Sequence, residues 1–127
     1  SMLDFIGYSK PSRWKIFQVL AIMGQNDQKI VPFLTSEKQF NQFITNHKLV
    51  QNTTKIVSET NDQIKGSYAM VDPAGRFFDD TTGKHIYSAP ILEVGCEKAI
   101  QHMFYDTSKF EQRGGNYDWE RTKRKVA

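Results

Sequence analysis

Cysteine is almost absent from this 127-residue chain, and its scarcity narrows the chemistry that the chain can perform. Cys96 is the single cysteine, which excludes an internal disulfide and any zinc or iron–sulfur site built from several cysteines of this chain. Such usage fits a reducing, cytoplasmic compartment. No apolar run approaches the roughly 20 residues of a membrane span, and the N-terminus lacks the pattern of a signal peptide. We therefore expect a soluble piece without a membrane segment.

The common nucleotide-binding and hydrolase motifs are missing as well. There is no Walker loop, no GxSxG elbow and no Rossmann glycine fingerprint. His47, His85 and His102 are too scattered in the sequence to indicate a metal site, so none is predicted. Asp79 and Asp80 are adjacent and would point to opposite faces of a strand, which favours a turn-stabilising role over a catalytic carboxylate pair. We assign no catalytic residue from these patterns.

The charged residues are distributed unevenly along the chain. Residues 108–127 carry six Lys/Arg and three Asp/Glu, whereas residues 1–107 carry eleven of each, so the net charge of +3 comes from the C-terminal end. This basic end indicates either a solvated terminus or an anionic partner. Hydrophobic residues make up 39% of the chain, which suffices for one modest domain over residues 11–107. We interpret residues 1–10 as a linker or a cloning remnant.

The apolar pattern predicts an α/β fold in its first half. Residues 14–23 are nearly continuous apolar sequence, which favours a strand buried on both faces, as in parallel sheets. A helix over about 36–48 is predicted next, because Ser36 and Gln39 form a plausible capping box and apolar residues then recur at helical spacing. Residues 53–57 have the composition of a short second strand.

Turn signals organise the second half. Residues 67–72 and 76–78 predict a hairpin around the intervening Pro and Gly residues. The final predicted helix begins after Gly95, and Cys96 lies on its apolar stripe. We therefore expect the thiol of Cys96 to be packed and inert rather than nucleophilic.

Lys15 is the first of two polar features that indicate binding chemistry. It interrupts an otherwise apolar strand, and a buried ammonium group is costly unless it meets an anion. The alternative is a lysine that reaches solvent from an exposed strand start. Gln18 would point to the other face of an ideal strand, so the two side chains should not share a pocket.

The second polar feature is the segment of residues 109–119, which combines a cation, a glycine pair and aromatic rings. Arg113 offers a forked, permanently charged set of donors. Gly114 and Gly115 allow backbone N–H groups to turn toward an anion, and Tyr117 and Trp119 could close over it. Two adjacent glycines more commonly mark an ordinary turn. The segment is therefore compatible with an anion-binding site or with a turn, and it does not specify an anion.

Six segments, taken in order along the chain, match those of one enzyme family. They are residues 11–18, 36–40, 67–68, 76–77, 91–95 and 109–117. Together they resemble the C-terminal half of the viperin family of antiviral radical S-adenosylmethionine enzymes. The likeness covers residues from about 11 to 119, and matches in the same order over such a span are far more specific than any one of them.

The resemblance implies both a fold and a reaction. Residues 11–107 would form the C-terminal part of a partial (βα)6 radical S-adenosylmethionine barrel, and residues 108–127 a basic tail that closes over substrate. The family converts a nucleoside triphosphate into its 3′-deoxy-3′,4′-didehydro analogue, a chain terminator for viral polymerases. CTP, UTP and GTP are the candidate substrates, and the matched motifs do not distinguish among them.

The resemblance also assigns roles to residues of this chain. Lys15 would contact the triphosphate, and Arg113, followed by Gly114 and Gly115, would reach its terminal phosphate. Tyr68 matches a tyrosine of the family's nucleotide pocket. At the position of Cys96 the relatives carry valine, which agrees with a packed thiol.

The cofactors implied by the resemblance are a four-iron four-sulfur cluster and S-adenosylmethionine. The CxxxCxxC motif that holds the cluster lies in the family's other half, so we expect this piece to be inactive alone. Iron–sulfur assembly machinery is a candidate partner, and a eukaryotic member would reach the endoplasmic reticulum or lipid droplets through an N-terminal helix outside this piece. The competing hypothesis is a non-enzymatic nucleic-acid-binding module that uses the basic tail.

Overall fold

The chain has a mixed α/β architecture, as the sequence predicts. The computed structural model describes residues 1–117; Trp119 and the basic residues 121–125 of the predicted tail lie outside them. Within the described range, a two-stranded parallel sheet and a three-stranded antiparallel sheet are surrounded by short helices. The helices are α1 Met2–Ser9, α2 Asp27–Ile30, α3 Glu37–Asn46, α4 Asn61–Ile64, α5 Ile91–Val94, α6 Cys96–Ile100 and α7 Thr107–Gln112. The strands are β1 Arg13–Phe17, β2 Lys55–Glu59, β3 Met70–Val71, β4 Arg76–Asp79 and β5 Ile86–Pro90.

The parallel pair of β1 and β2 is the part of the fold that matters most for the site. Lys15 lies opposite Val57, and Phe17 lies opposite Glu59. Helix α3 belongs to the crossover between the two strands, the usual connection between parallel neighbours. Its predicted capping box is confirmed: Ser36 accepts a hydrogen bond from the Gln39 amide, and the Gln39 side chain accepts one from the Ser36 amide.

The prediction of a single long strand over residues 14–23 is wrong. Strand β1 ends at Phe17. The Gln18 N–H still donates to the Glu59 carbonyl of β2, and the Gln18 side-chain amide donates to the Thr35 carbonyl and accepts from the Asn61 N–H. Phe17 is 51% exposed, so β1 is not covered on both faces within the described residues. Apolar composition alone did not reveal where the chain leaves the sheet.

The predicted hairpin in the second half is confirmed. Strand β4 pairs with β3 in antiparallel orientation. The Asp72 carboxylate accepts hydrogen bonds from the Ala74 and Arg76 amides and so closes the turn between these strands. Strand β5, which the sequence analysis did not identify, adds to the other edge of β4.

The N-terminal residues form a helix where the sequence analysis placed a linker or a remnant. The Ser1 hydroxyl accepts from the Asp4 amide, and the Asp4 carboxylate accepts from Ser1 in return, which completes a capping box for α1. Ile6 of this helix is buried. The capping signal was present in the sequence at Ser1 and Asp4. The interpretation of residues 1–10 as a linker or a cloning remnant stays a prediction.

The predicted environment of Cys96 is also wrong. Helix α6 begins after Gly95 as expected, but it is one short turn in which Ala99 is buried and Cys96 is exposed. The apolar stripe therefore does not extend to its first residue. Asp79 and Asp80 do stabilise turns and loops: Asp79 accepts from the Thr81 and Phe104 amides, and Asp80 from the Gly66 amide.

The apolar core is small and distributed over many elements. Its buried side chains are Ile6, Ile22, Ile30, Phe40, Val50, Val57 and Ala99.

None of the helices in residues 1–117 has both the length and the hydropathy needed to cross a bilayer. The three histidines lie apart, and each Nδ1 contacts a local oxygen, that of Phe43 for His47, Tyr87 for His85 and Lys98 for His102.

Candidate functional site

The parallel sheet carries charge on one face and an aromatic ring on the other. Side chains alternate along a strand, so Arg13 and Lys15 lie on the face of β1 opposite to Trp14. The Trp14 ring meets Phe43 of α3 edge to face, with 6.3 Å between ring centroids, which shows that α3 covers the aromatic face. The charged face is therefore the one turned away from α3.

Glu59, at the end of β2, lies at the centre of the charged face. Its side chain is 0% exposed. One carboxylate oxygen, Oε1, forms ion pairs with the Nζ of Lys15 at 2.6 Å and with the Nη1 of Arg113 at 3.6 Å. The other, Oε2, accepts a hydrogen bond of 2.6 Å from the Tyr68 hydroxyl. A single buried carboxylate thus connects three sequence-predicted site residues.

The Tyr68 hydroxyl is held from two sides. It donates to Glu59 and accepts from the Lys15 ammonium group at 3.4 Å. The neighbouring Ser67 is fully buried, and its hydroxyl and amide both donate to the Ile64 carbonyl, which fixes the backbone that carries Tyr68. The position of the ring follows from this anchored segment rather than from a regular strand.

Arg113 reaches the cluster from the C-terminal end of α7. Its Nη2 donates to the Ser67 carbonyl at 2.9 Å, and its guanidinium carbon lies 3.8 Å from the centroid of the Tyr68 ring. The residue is 5% exposed, yet its Nε has no hydrogen-bond partner among the described residues. A buried guanidinium with a free donor is a polar group that still requires an acceptor.

The glycine pair ends helix α7. The Gly114 N–H donates to the Glu111 carbonyl, and the Gly115 N–H donates to the Phe110 carbonyl, which is the hydrogen-bond pattern of a Schellman motif. Gly114 has a φ of +72°, which a residue with a Cβ adopts at a cost. Both N–H groups are engaged in this conformation, so their direct contact with an anion stays a prediction. What the pair does here is place Arg113 at the helix end.

Arg13 adds a third cation to the same face. Its Nη1 donates to the Gly114 carbonyl at 3.3 Å, and its guanidinium carbon lies 4.1 Å from the centroid of the Tyr117 ring. The Lys15 ammonium lies 5.9 Å from the same ring. Lys15 and Arg113 pair with the Glu59 carboxylate, and Arg13 lies on the same face against Tyr117. Three cations thus share this face with one carboxylate, and the excess of positive charge suits an anionic ligand.

The pKa values of the neighbouring groups reflect this crowding. Burial disfavours the charged form of Lys15, but the short contact with Glu59 and its negative charge outweigh burial and raise the pKa of Lys15. Burial, and then Glu59, raise the pKa of Tyr68. The interaction with Lys15, followed by that with Arg13, lowers the pKa of Tyr117. Lys15 and Tyr68 therefore keep their protons at neutral pH.

An open groove of about 370 Å³ runs beside the cluster, between β2 and the end of α7. A wider depression lies at the carboxyl ends of β1 and β2, where Gln18 and Asn61 contribute to its wall. The carboxyl ends of parallel strands are the common location of ligands in α/β proteins. The residues that line the groove are Lys55, Ile56, Val57, Ser58, Gln63, Gln112, Arg113 and Gly114.

The structure brings together the three side chains that the sequence singled out, Lys15, Tyr68 and Arg113. The sequence analysis left open whether Lys15 meets an anion, and the ion pair with Glu59 answers that question. Glu59 itself was missed. No local pattern marks it, because Glu59 lies beyond the predicted strand of residues 53–57 and its partners come from other segments.

The donor set of this chain does not fit an iron–sulfur cluster. Cys96 is exposed at the start of α6, and no group of three or more His, Cys, Asp or Glu side chains able to hold a metal comes together within residues 1–117. A four-iron cluster needs several thiolates. We derive no chemistry through such a cluster from these residues.

Comparison with known proteins shows close similarity over nearly the whole chain, although no family model matches it. The chain is 52% identical over 97% of its length to an S-adenosylmethionine-dependent nucleotide dehydratase of Lacinutrix mariniflava. It is 46% identical over 92% to one of Flammeovirga pacifica, and 35% identical over 98% to one of Danio rerio. The chain spans 25%, 39% and 35% of these relatives, respectively.

Proposed function

The chain belongs to the viperin-like S-adenosylmethionine-dependent nucleotide dehydratases, and we propose that it is their C-terminal, nucleotide-binding portion. In this proposal the complete protein converts a nucleoside triphosphate, with CTP, UTP and GTP as candidates, into its 3′-deoxy-3′,4′-didehydro analogue. The names of the relatives describe an enzyme and do not favour the alternative of a non-enzymatic nucleic-acid-binding module.

The convergence of Lys15, Tyr68 and Arg113 on the charged face of the parallel sheet is the observation that carries the proposal. These side chains come from β1, from the segment after α4 and from the end of α7, and nothing but the fold brings them together. A triphosphate carries several negative charges, so it can engage cations that a single carboxylate leaves only partly compensated. The unpartnered Nε of Arg113 supplies one donor for it.

The proposed division of labour follows from the contacts. Lys15 and Arg113 bind phosphate oxygens. The Tyr68 ring packs against the Arg113 guanidinium and orients it. Gly114 and Gly115 contribute by ending α7 so that Arg113 faces the sheet. Tyr117, and the tail beyond it, would close over the bound nucleotide and exclude water from the reaction.

The cofactors belong to the rest of the protein in this proposal. The relatives are named as S-adenosylmethionine-dependent, and the residues of this chain do not fit a cluster. We therefore propose that the cluster and S-adenosylmethionine bind to a preceding portion with the CxxxCxxC motif, and that β1 and β2 continue its barrel. We also expect this portion to be inactive by itself and the protein to be cytoplasmic, with iron–sulfur assembly machinery as a partner.

The proposal is tested with Arg113→Ala and Lys15→Ala in the full-length protein. Each substitution removes a charge-assisted contact to phosphate, so the KM for the nucleotide should rise by roughly 10- to 100-fold. Cleavage of S-adenosylmethionine without nucleotide should continue near the wild-type rate, since it does not need the triphosphate. Nucleotide turnover and formation of 5′-deoxyadenosine are measured in parallel.

Matched controls separate a binding role from a general loss of positive charge. Arg76, which pairs with Asp72 in the second sheet, is the control arginine, and Lys38, exposed on α3, is the control lysine. Arg76→Ala and Lys38→Ala should leave the KM unchanged. Wild-type KM values in both site variants would overturn the assigned roles.

A further inference from the structure

A buried negative charge is an unexpected component of a site proposed for a triphosphate. The Glu59 carboxylate is fully buried and would repel a phosphate group at close range. An uncompensated ion in that position would be strongly destabilising. We therefore expect the Glu59 carboxylate to have a specific role. Its three partners, Lys15, Tyr68 and Arg113, are the residues assigned to the nucleotide.

We propose that Glu59 is a positioning residue for nucleotide binding, which gathers Lys15, Tyr68 and Arg113 at one point of the charged face and keeps the Lys15 ammonium charged. This inference rests on the function proposed above and extends it to a residue that does not itself touch substrate. The three partners belong to different segments, and Tyr68 also contacts Lys15 and Arg113 directly, but Glu59 is the one group that carries a negative charge to both cations.

The geometry gives Glu59 a distinct task at each oxygen. Oε2 accepts a hydrogen bond from the Tyr68 hydroxyl, whose oxygen in turn accepts one from the Lys15 ammonium group. Oε1 is shared by the two cations, at 2.6 Å from Lys15 and 3.6 Å from Arg113. The longer separation makes the ion pair of Glu59 with Arg113 the weaker of the two, and Arg113 is held in addition by the Ser67 carbonyl and the Tyr68 ring.

The charge of Glu59 matters because Lys15 is largely surrounded by protein, with 22% of its side chain exposed. The titratable and charged groups near it are Arg13 on its own strand, Glu59 on β2, Tyr68, Arg113 and Tyr117. Glu59 is the carboxylate among them. Without it, burial and the neighbouring cations both favour the neutral amine, which cannot pair with phosphate.

The test compares Glu59→Gln with the wild type in the full-length protein. This substitution keeps the size and polarity of the side chain and removes its charge. The dissociation constants of CTP, UTP and GTP are measured by calorimetry between pH 6.5 and 9. Relative to the wild type, the variant should lose affinity as pH rises toward 9, because binding then requires the Lys15 amine to take up a proton.

Adding Lys15→Arg to Glu59→Gln should abolish the extra pH dependence, since a guanidinium stays charged throughout. An unchanged pH dependence in Glu59→Gln, or one that persists in the double variant, overturns the proposed role. Wild-type protein that binds no triphosphate at any pH is a different result: it overturns the proposed function, and the role of Glu59 with it.

Glu59→Asp tests the positioning role without placing a neutral side chain at the buried position. The charge is retained, but the carboxylate is withdrawn by one methylene and cannot meet all three partners. We expect weaker nucleotide binding, by about tenfold, with the pH dependence of the wild type. Affinity equal to that of the wild type in a folded Glu59→Asp protein would contradict a positioning role and leave only a charge-balancing one.

Discussion

Single residues of the charged face are more interdependent than their distances suggest. Tyr68 contacts the carboxylate with its hydroxyl and the Arg113 guanidinium with its ring face, so one side chain links a hydrogen bond to a cation–π contact. Replacement of any member therefore affects groups that it does not touch. Effects of substitutions within the cluster should accordingly be non-additive.

Tyr68→Phe isolates the hydroxyl. The ring and its contact with Arg113 remain, while Glu59 loses its 2.6 Å donor. We expect the free energy of unfolding to fall by about 1–3 kcal/mol, the usual cost of depriving a buried charged acceptor of its donor. Tyr8→Phe is the matched control, because Tyr8 is 90% exposed. Equal stability changes in the two variants, measured by denaturant unfolding, would contradict this account.

The pKa values predict how stability responds to alkaline pH. Lys15 and Tyr68 both titrate above their ordinary values of 10.5 and 10.0 in the folded state. Their protonated forms therefore stabilise the fold fully below the unfolded pKa values, and this contribution is lost as pH rises through the folded ones. The stability difference between the wild type and Lys15→Met should shrink as pH rises above about 10, where Lys15 loses its proton. A difference that grows above pH 10 would contradict the assignment.

What could be predicted about single residues depended on whether their signal was local. Lys15 and Arg113 stood out because a cation within apolar sequence and an arginine beside two glycines are unusual over a few positions. Glu59 gave no comparable signal. Its burial results from three segments that meet only in the folded chain, and no periodicity within β2 encodes that meeting.

At the scale of elements, helix α7 and its glycine end act as the support of Arg113. Gly114 provides the left-handed backbone conformation, and Gly115 provides the space, because a Cβ there would lie 2.6 Å from the Phe110 carbonyl oxygen. From the sequence, the glycine pair was compatible with an anion site or with an ordinary turn, and only the family resemblance assigned it to a phosphate. The hydrogen bonds show a helix cap, which is a function that two adjacent glycines support equally well.

Substitution of the two glycines should separate conformation from space. Gly114→Ala should cost about 1–2 kcal/mol of unfolding free energy because of its positive φ. Gly115→Ala should cost more, since the steric conflict is with backbone and cannot be relieved by a side-chain rotation. Gly7→Ala, in α1 with open space around it, is the control and should stabilise by about 0.5–1 kcal/mol. Thermal unfolding measures all three; a Gly115→Ala protein as stable as the control would contradict the cap.

Elements were predictable where their ends carry their own chemistry. Helix α3 was placed correctly because Ser36 and Gln39 satisfy each other's backbone groups whatever the rest of the chain does. Strand β1 was overextended, since its end is set by the distant partners of Gln18. Capping is local, whereas the end of a strand depends on its neighbours.

At the scale of the whole molecule, the second sheet supports the site without contributing a site residue. Asp79 and Asp80 at the end of β4 and just beyond it accept hydrogen bonds from Phe104 and Gly66. Gly66 immediately precedes the segment of Ser67 and Tyr68. The antiparallel sheet is thereby connected to the residue that orients both Lys15 and Arg113.

Asp80→Ala should therefore weaken the site from a distance. The substitution leaves the buried Gly66 N–H without its acceptor, which should cost about 1–3 kcal/mol and speed hydrogen exchange at Gly66 and Ser67. Asp62→Ala is the control, because the Asp62 side chain is 90% exposed and its ion pair with Lys109 should contribute little. Unchanged exchange at Gly66 in Asp80→Ala would show that the two sheets are not coupled in this way.

The zero exposure of Glu59 finally constrains how this protein can change over evolutionary time. A sequence that lost Lys15 or Arg113 alone would retain a buried carboxylate with too few partners, and one that lost Glu59 alone would retain cations held against each other. Substitutions at residues 15, 59 and 113 should therefore occur together in functional homologues. Covariation of residues 15, 59 and 113 among homologues, with single replacements strongly depleted, is the signature that the shared carboxylate should leave.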